Sequence, residues 1–204
     1  MLVVGIAGGS GSGKTTVVNE IINLLPKDSV SILSQDSYYK DNGHLLPEER
    51  AKINFDHPAS IEFKLLVDHV DELLKGHVIN RPIYSYLTCA RAQETIPVHP
   101  KKVLIVEGIL ILSNAKLRDR FTIKIFVDAD SDDRLMRIIQ RDLIERGRSV
   151  QGVLKHYETY VKPMHLQFIE PTKRYADIIV PEGGRNKVAI DILASRIQMK
   201  LNES

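Results

Sequence analysis

Eight consecutive residues, Gly8-Gly9-Ser10-Gly11-Ser12-Gly13-Lys14-Thr15, meet every fixed position of the pattern G-x-x-x-x-G-K-[ST]. Each residue type there has a physical task. Glycines let the backbone curl until successive N–H groups point at one phosphate chain. Lys14 can reach the β and γ oxygens, and the Thr15 hydroxyl can hold Mg²⁺. Other glycine-loop chemistries fit worse. The register of Gly8, Gly9, Gly11 and Gly13 misses G-x-G-x-x-G, and the D-F-G and catalytic-loop motifs of protein kinases are missing. No D-x-x-G occurs, and Asn186-Lys187-Val188-Ala189 lacks the Asp of a guanine-reading N-K-x-D. What is left is ATP-dependent transfer to a small acceptor.

Two acids and a run of arginines complete the chemistry. Glu107 closes the apolar run Val103-Leu104-Ile105-Val106 and precedes Gly108, which suits a carboxylate holding Mg²⁺ at a strand end. Asp36 follows a second apolar run, Val30 to Leu33, and suits a general base for an acceptor hydroxyl. If Asp132 to Arg148 continues as one helix, Arg134, Arg137, Arg141 and Arg148 form a cationic stripe opposite Leu135, Ile139 and Leu143. With a polyanion nearby and Arg146-Gly147-Arg148 able to hinge, that stripe reads as a phosphate-clamping lid over about 141–149. Asp128, Asp130, Asp132 and Asp133 read as acids at a helix start rather than a metal cluster.

These residues need elements to hold them. Met1 to Ala7 reads as a strand buried on both faces, and Lys14 to Leu25 as a helix carrying Val17, Ile21, Ile22 and Leu25, stopped by Pro26. A helix beginning at the phosphate loop adds its positive end to the bound anion. Ser60 is expected to cap a helix with the stripe Ile61, Leu65, Leu66, Leu73 and with Gly76 just past its end. Further strands are expected at 103–106, 121–127 and 176–180, and Ser131 with Asp132 and Asp133 opens another helix. Between them, 78–98 contains Pro82, Tyr84, Tyr86 and Pro97 and reads as a β-hairpin flap, its prolines suiting edge strands. Strands alternating with helices imply an α/β fold, a parallel sheet covered on both faces, with ligands at the carboxyl ends of the strands.

Composition bounds the rest. The 204 residues are 43% hydrophobic and 26% charged, which suits one globular domain spanning 1–204 with an inserted flap. The 28 Lys and Arg nearly balance the 26 Asp and Glu, so no net-charge argument for nucleic acid exists. A lone Cys89 excludes an internal disulfide framework and fits a reducing compartment. No apolar run is long enough to span a bilayer, and no basic segment precedes the first apolar stretch. A cytoplasmic protein is therefore expected, without membrane or nucleic-acid partners.

Taken in order along nearly the whole chain, the motifs resemble the uridine kinase (uridine–cytidine kinase) family of P-loop nucleoside kinases. The carrying segments are Gly5 to Thr15, Gln35-Asp36-Ser37-Tyr38-Tyr39-Lys40, Asn54-Phe55-Asp56-His57-Pro58, Pro82-Ile83-Tyr84-Ser85-Tyr86, Val106-Glu107-Gly108, Arg141-Asp142, Glu145-Arg146-Gly147-Arg148, and Lys173-Arg174-Tyr175-Ala176-Asp177. The resemblance implies phosphorylation of the 5′-hydroxyl of uridine or cytidine, with ATP or GTP as donor and Mg²⁺ as the metal. It implies Asp36 as general base, and Thr15 and Glu107 as metal positions. Catalytic Lys14 and Arg146, with Arg141, Thr16 and the loop Gly8, Gly9, Ser10, Gly11, Ser12 and Gly13, would contact the triphosphate. Asp56 would bind the ribose 2′- and 3′-hydroxyls, favouring ribose over deoxyribose. Phe55, Tyr84 and Tyr86 would form an aromatic pocket, with Arg148 on its lid side. His57 reads instead as a loop-packing residue.

The chain departs from the family pattern where the nucleoside is expected. Cys89 replaces a base-reading His, Ile138 a second Arg, and His156 a Gln. A thiol cannot stand in for imidazole at a pyrimidine edge. A kinase for another nucleoside or ribosyl substrate is therefore carried as an alternative, as is a silent nucleotide-binding regulator. The resemblance also implies a homotetramer and feedback inhibition by pyrimidine triphosphates. The Glu182-Gly183-Gly184-Arg185-Asn186 turn would lie on the adenine side.

Overall fold

A computed structural model describes residues 1–50 and 52–202. Seven strands, β1 (Leu2–Ala7), β2 (Val30–Ser34), β3 (Ile79–Ser85), β4 (Ala90–Val98), β5 (Val103–Gly108), β6 (Ile123–Val127) and β7 (Ile178–Val180), divide into two sheets. The main sheet is parallel throughout, in the order β2-β5-β1-β6-β7. β3 and β4 form a separate antiparallel hairpin, whose register shifts between Pro82 and Tyr84. Each has only one partner strand, so Pro82 and Pro97 can point their missing donors away from the ladder.

Burial of the main sheet on both faces follows from its period of two. Val4 and Ile6 of β1, with Val103 and Ile105 of β5, meet α1 (Lys14–Leu24) through Val17 and Ile21. Val3 and Ala7, with Leu104 and Val106, turn to the other face and meet α2 (Phe63–Leu74) through Leu66, Val70 and Leu73. Each such side chain, removed from water, contributes about 1.5–3 kcal/mol. Phe121 lies flat on Gly5, where a methyl group would collide with its ring. α3 (Ser131–Glu145) and α4 (Val150–His156) stand at the carboxyl end of the sheet, and α5 (Lys187–Asn202) covers the α1 face through Ile190, Leu193 and Ile197. From α4 the helical path runs on through two wide π turns, Tyr157–Val161 and His165–Ile169. Among the described residues no helix is long and apolar enough to cross a membrane.

Several sequence expectations need correction. Ser60 does not cap α2. Its hydroxyl donates to the Phe55 and His57 carbonyls, and α2 begins at Phe63 after Glu62. Ile61 lies outside the helix and bridges to Tyr39, because the chain stays extended there. Gly76, as expected, follows the helix end with φ +87. β6 starts two residues late because Phe121 and Thr122 still belong to a turn, and β7 starts at Ile178.

The arginine stripe also differs. α3 ends at Glu145, and Gly147 turns with φ +60, so Arg148 leaves the helix axis. The buried face of α3 carries Arg134, Ile138 and Asp142, whereas Leu143 is 39% exposed. Leu135 and Ile139 do pack inward, against a small cluster of Ile138, Val153, Tyr157 and Val161.

Candidate functional site

A cleft of about 480 Å³ opens at the carboxyl edge of the main sheet. Its floor is the turn between β1 and α1. Gly13 precedes α1 with φ +92, a backbone that a side chain would strain. Gly11 has φ +76, and a Cβ there would come within 2.5 Å of the Arg134 carbonyl. Lys14, only 8% exposed, swings back over this turn and donates to the Gly9 carbonyl at 3.2 Å. Burial lowers its pKa, opposed first by Glu107 and then by Asp36. The ammonium therefore lies in a place where its own charge is costly and an arriving polyanion is welcome.

Parallel register brings the acids to the same edge. Glu107 pairs with Ile6 on β1 and with Ser34 on β2, one residue short of each strand's end or at it. The Ser34 hydroxyl donates to Glu107 at 2.5 Å, and burial raises the Glu107 pKa against the opposing pull of Lys14. Asp36 opens the single turn Gln35–Tyr38 directly after β2 and lines the cleft, its N–H resting on the Ser34 hydroxyl at 3.4 Å. Gln35, fully buried, accepts from the Leu110 N–H at 2.7 Å and locks the start of this turn to the end of β5. Thr15 also lines the cleft. Together the Thr15 hydroxyl and the Glu107 carboxylate make a hard-oxygen donor set, which fits Mg²⁺ completed by phosphate oxygens. The curled loop with Lys14 across it likewise fits a triphosphate.

Farther along, the cleft becomes aromatic. Phe55, Tyr39 and Tyr86 line it, their ring centroids 5.3–6.0 Å apart. Tyr84 stands behind them, 5.3 Å from Tyr39 and 5.6 Å from Tyr86, and does not line the cleft. Asp56 is buried between the two regions, and its pKa is pushed up to about 6 by burial first and Asp36 second, with Arg141, Arg146 and Lys14 opposing. Burial and the nearby Asp36 carboxylate raise the pKa of the Tyr86 phenol, and Arg146 lies 4.7 Å above the Tyr86 ring. Flap, base candidate and lid thus meet at one side chain.

A second pocket of about 300 Å³ continues from this end, lined by Arg50, Ile53, Phe55, Tyr86, Leu87, Cys89, Arg148 and His156. Cys89 and His156 therefore share one wall. Cys89 has φ +52 in the hairpin turn, and its thiol reaches the Tyr86 carbonyl at 3.6 Å. Burial lowers the His156 pKa, with Arg148 adding to the shift, so its imidazole offers one donor and one acceptor. Ile138 is a different case. It is buried beside Gly11 on the phosphate side, packed with Val153, Tyr157 and Val161, rather than at the base end.

Sequence reasoning missed two contributors, Tyr39 and Arg50, and left the placement of several others open. Tyr39 walls the pocket, and its signal was the paired Tyr38-Tyr39, one ring turned into the core and one toward the cleft. Arg50 is pinned by the Leu45, Gly43 and Thr88 carbonyls, contacts that no spacing rule announces. Arg137 donates to the Gly11 and Ser12 carbonyls at 3.2 and 3.3 Å, bracing the phosphate loop from outside. Arg134 is 4% exposed behind Gly9, beside His165, whose pKa burial depresses. The Thr16 side chain lies against Gly184 of the 182–186 turn, which itself packs on Gly13. His57 accepts from the Ala59 N–H at 3.0 Å and meets the Phe168 ring edge-on, as a loop-packing residue would.

Comparison with known proteins gives an independent view. Residues 3–189 match the Phosphoribulokinase / Uridine kinase family profile. A uridine kinase of Clostridium novyi (strain NT) is 53% identical over 203 residues, covering 100% of this chain and 98% of that protein. One from Staphylococcus haemolyticus is 55% identical over 196 residues, covering 96% and 95%. Among solved structures, a putative fructose transport system kinase from Silicibacter sp. TM1040 aligns with a TM-score of 0.69 at 21% identity, covering 88% and 89%. A possible uridine kinase from Bacillus stearothermophilus aligns at 0.55 and 22%, covering 88% of each chain. At such identities the two structures speak for the P-loop kinase fold alone.

Proposed function

The chain belongs to the phosphoribulokinase / uridine kinase family, and from that premise we propose that it moves the γ-phosphoryl group of ATP to the 5′-hydroxyl of uridine or cytidine. The observation that carries this reading is the meeting of Lys14, Glu107, Asp36 and Asp56 on one cleft that runs from a phosphate loop to an aromatic pocket. Near-50% identity to uridine kinases along the whole chain does not favour another acceptor or a silent regulator.

The chemistry divides among the residues by position. Lys14, Arg141 and Arg146 bind the triphosphate and meet the charge that spreads over the γ oxygens in a loose transition state. Thr15 and Glu107 would hold Mg²⁺. When bound, the metal supplies charge neutralisation on the β and γ oxygens. Asp36 accepts the proton of the 5′-hydroxyl as its oxygen bonds to phosphorus, and the bond to the β–γ bridging oxygen breaks with its electron pair leaving on ADP. Asp56, ionised above about pH 6, accepts from the 2′- and 3′-hydroxyls and so prefers ribose to deoxyribose. Phe55, Tyr39 and Tyr86 stack on the nucleoside, and Arg148, His156 and Cys89 face its base. The hairpin acts as a flap and 141–149 as a lid, closing the cleft against water.

ADP release measured with MgATP and a panel of uridine, cytidine, their 2′-deoxy forms, adenosine and guanosine tests the reading. Turnover on the pyrimidine ribosides, poor on the deoxy forms, is expected. Silence on both pyrimidines with turnover elsewhere would overturn the acceptor assignment.

A further inference from the structure

Three arginines at the open end of α3 converge on one carboxylate. Asp142 is 1% exposed. Its Oδ1 accepts from Nε and Nη2 of Arg141, both at 2.9 Å. Its Oδ2 meets Nη1 of Arg148 at 3.0 Å and Nη1 of Arg146 at 3.6 Å. The main chain joins in, because the Arg148 N–H donates to the Asp142 carbonyl at 3.1 Å once Gly147 has turned the chain back. Residues at i−1, i+4 and i+6 thus reach one acid that no regular helix would bring all three to.

An acid in the last turn of a helix opposes the helix dipole. A fully buried acid is also expensive unless it is paired. Asp142 therefore answers a need outside the helix. Three guanidinium groups carry three positive charges and Asp142 returns one negative, so about two positive charges stay turned toward the cleft that all three arginines line. Without a counter-charge, three cations so close together would splay apart into solvent.

We infer that Asp142 is a positioning residue, whose buried carboxylate gathers Arg141, Arg146 and Arg148 into one preset fan lining the cleft. It touches no substrate. It acts through the arginines, holding them in the arrangement that the transferring γ-phosphoryl group needs, so that they do not have to reorganise during the transfer step. The inference rests on the uridine-phosphorylating reading only where turnover is the readout.

The test is Asp142→Asn, which keeps the shape and removes the charge. Turnover of uridine with MgATP is expected to fall at least about fivefold, toward a hundredfold. Inorganic tripolyphosphate should meanwhile bind the free protein as tightly as it binds wild type or tighter, with a steeper salt dependence, since the cleft has become more positive. A role in stability alone would lower turnover and tripolyphosphate binding together, and that parallel loss overturns the proposal, as does a fall in turnover of less than about fivefold. Should Asp142→Asn show no cooperative thermal transition, Asp142→Glu decides. Turnover within about fivefold of wild type with unchanged tripolyphosphate binding sustains the inference, and a greater loss overturns it. If the wild type leaves uridine untouched in the same assay, the acceptor reading falls, and tripolyphosphate binding with its salt slope still judges Asp142.

Discussion

The phosphate-loop end of the cleft is built mostly from backbone. One continuous turn between β1 and α1 supplies it, with Lys14 and Thr15 following in sequence and Glu107 fixed by strand register to both neighbours. At the aromatic end the lining comes from separate segments: Tyr39, Phe55 with Asp56, Tyr86 and Leu87 with Cys89, and Arg148 with His156. The first region is local in sequence and rigid by packing. The second is assembled across more than a hundred residues, and its parts can be exchanged singly. Ile138, which approaches the phosphate loop beside Gly11, is a packing residue there.

Substitutions sharpen this contrast. The largest effect is expected from Lys14→Met, which should cut kcat by about a thousandfold or more in steady-state assays, because Lys14 is the cation that lies across the phosphate loop itself. A loss below tenfold would mean that the loop backbone alone suffices. Asp36→Asn comes next, with kcat down by about two to four orders of magnitude while ATP affinity, read by calorimetry, stays near wild type. Asp36 belongs to the junction of the two regions, so an equal loss of ATP binding would erase the boundary drawn here.

Asp56→Asn should act on the nucleoside side, raising the KM for uridine about ten- to a hundredfold with the KM for ATP little changed. This variant also carries a stability signature. The folded-state pKa of Asp56 lies near 6, against the ordinary value of 3.8. Between those values the folded protein holds the proton that the unfolded chain has released, so this carboxyl makes the protein more stable as pH falls from 6 to 4. Above pH 6 its buried charge costs about 1–3 kcal/mol. Asn removes that cost, and thermal melts at pH 8 should show a higher Tm alongside the poorer KM. In the wild type, KM for uridine should rise as pH drops below about 6.

The smallest effect is expected from Cys89→His. The left-handed backbone at φ +52 accepts His readily, and an imidazole adds an oriented donor or acceptor beside Arg148 and His156. kcat/KM for uridine should rise about three- to tenfold with the ATP parameters unchanged. No change would mean that His156 already does the reading in the same pocket.

Much of this molecule was legible before any coordinates. Short apolar runs that alternate with helices mark parallel strands, so β1, β2 and β5 and the carboxyl-edge location of Asp36 and Glu107 followed from residue order, whereas the place of β2 at the sheet edge, with Ile32 exposed, did not. The phosphate loop was readable for the same reason: its geometry is backbone, written in eight contiguous residues. Tertiary structure decided the matters in which distant side chains compete for one another. Ser60 turned from a helix cap to a loop lock because the Phe55 and His57 carbonyls were nearer. Tyr84 withdrew behind Tyr39 and Tyr86 because four rings share one volume and only some can face the cleft. Asp142, silent in the sequence beside five arginines within fifteen residues, became the common anchor of three of them only once Gly147 folded the chain back. Spacing rules capture periodicity along a chain; which charges meet across a turn is set by packing and by the cost of leaving any of them buried and unpaired.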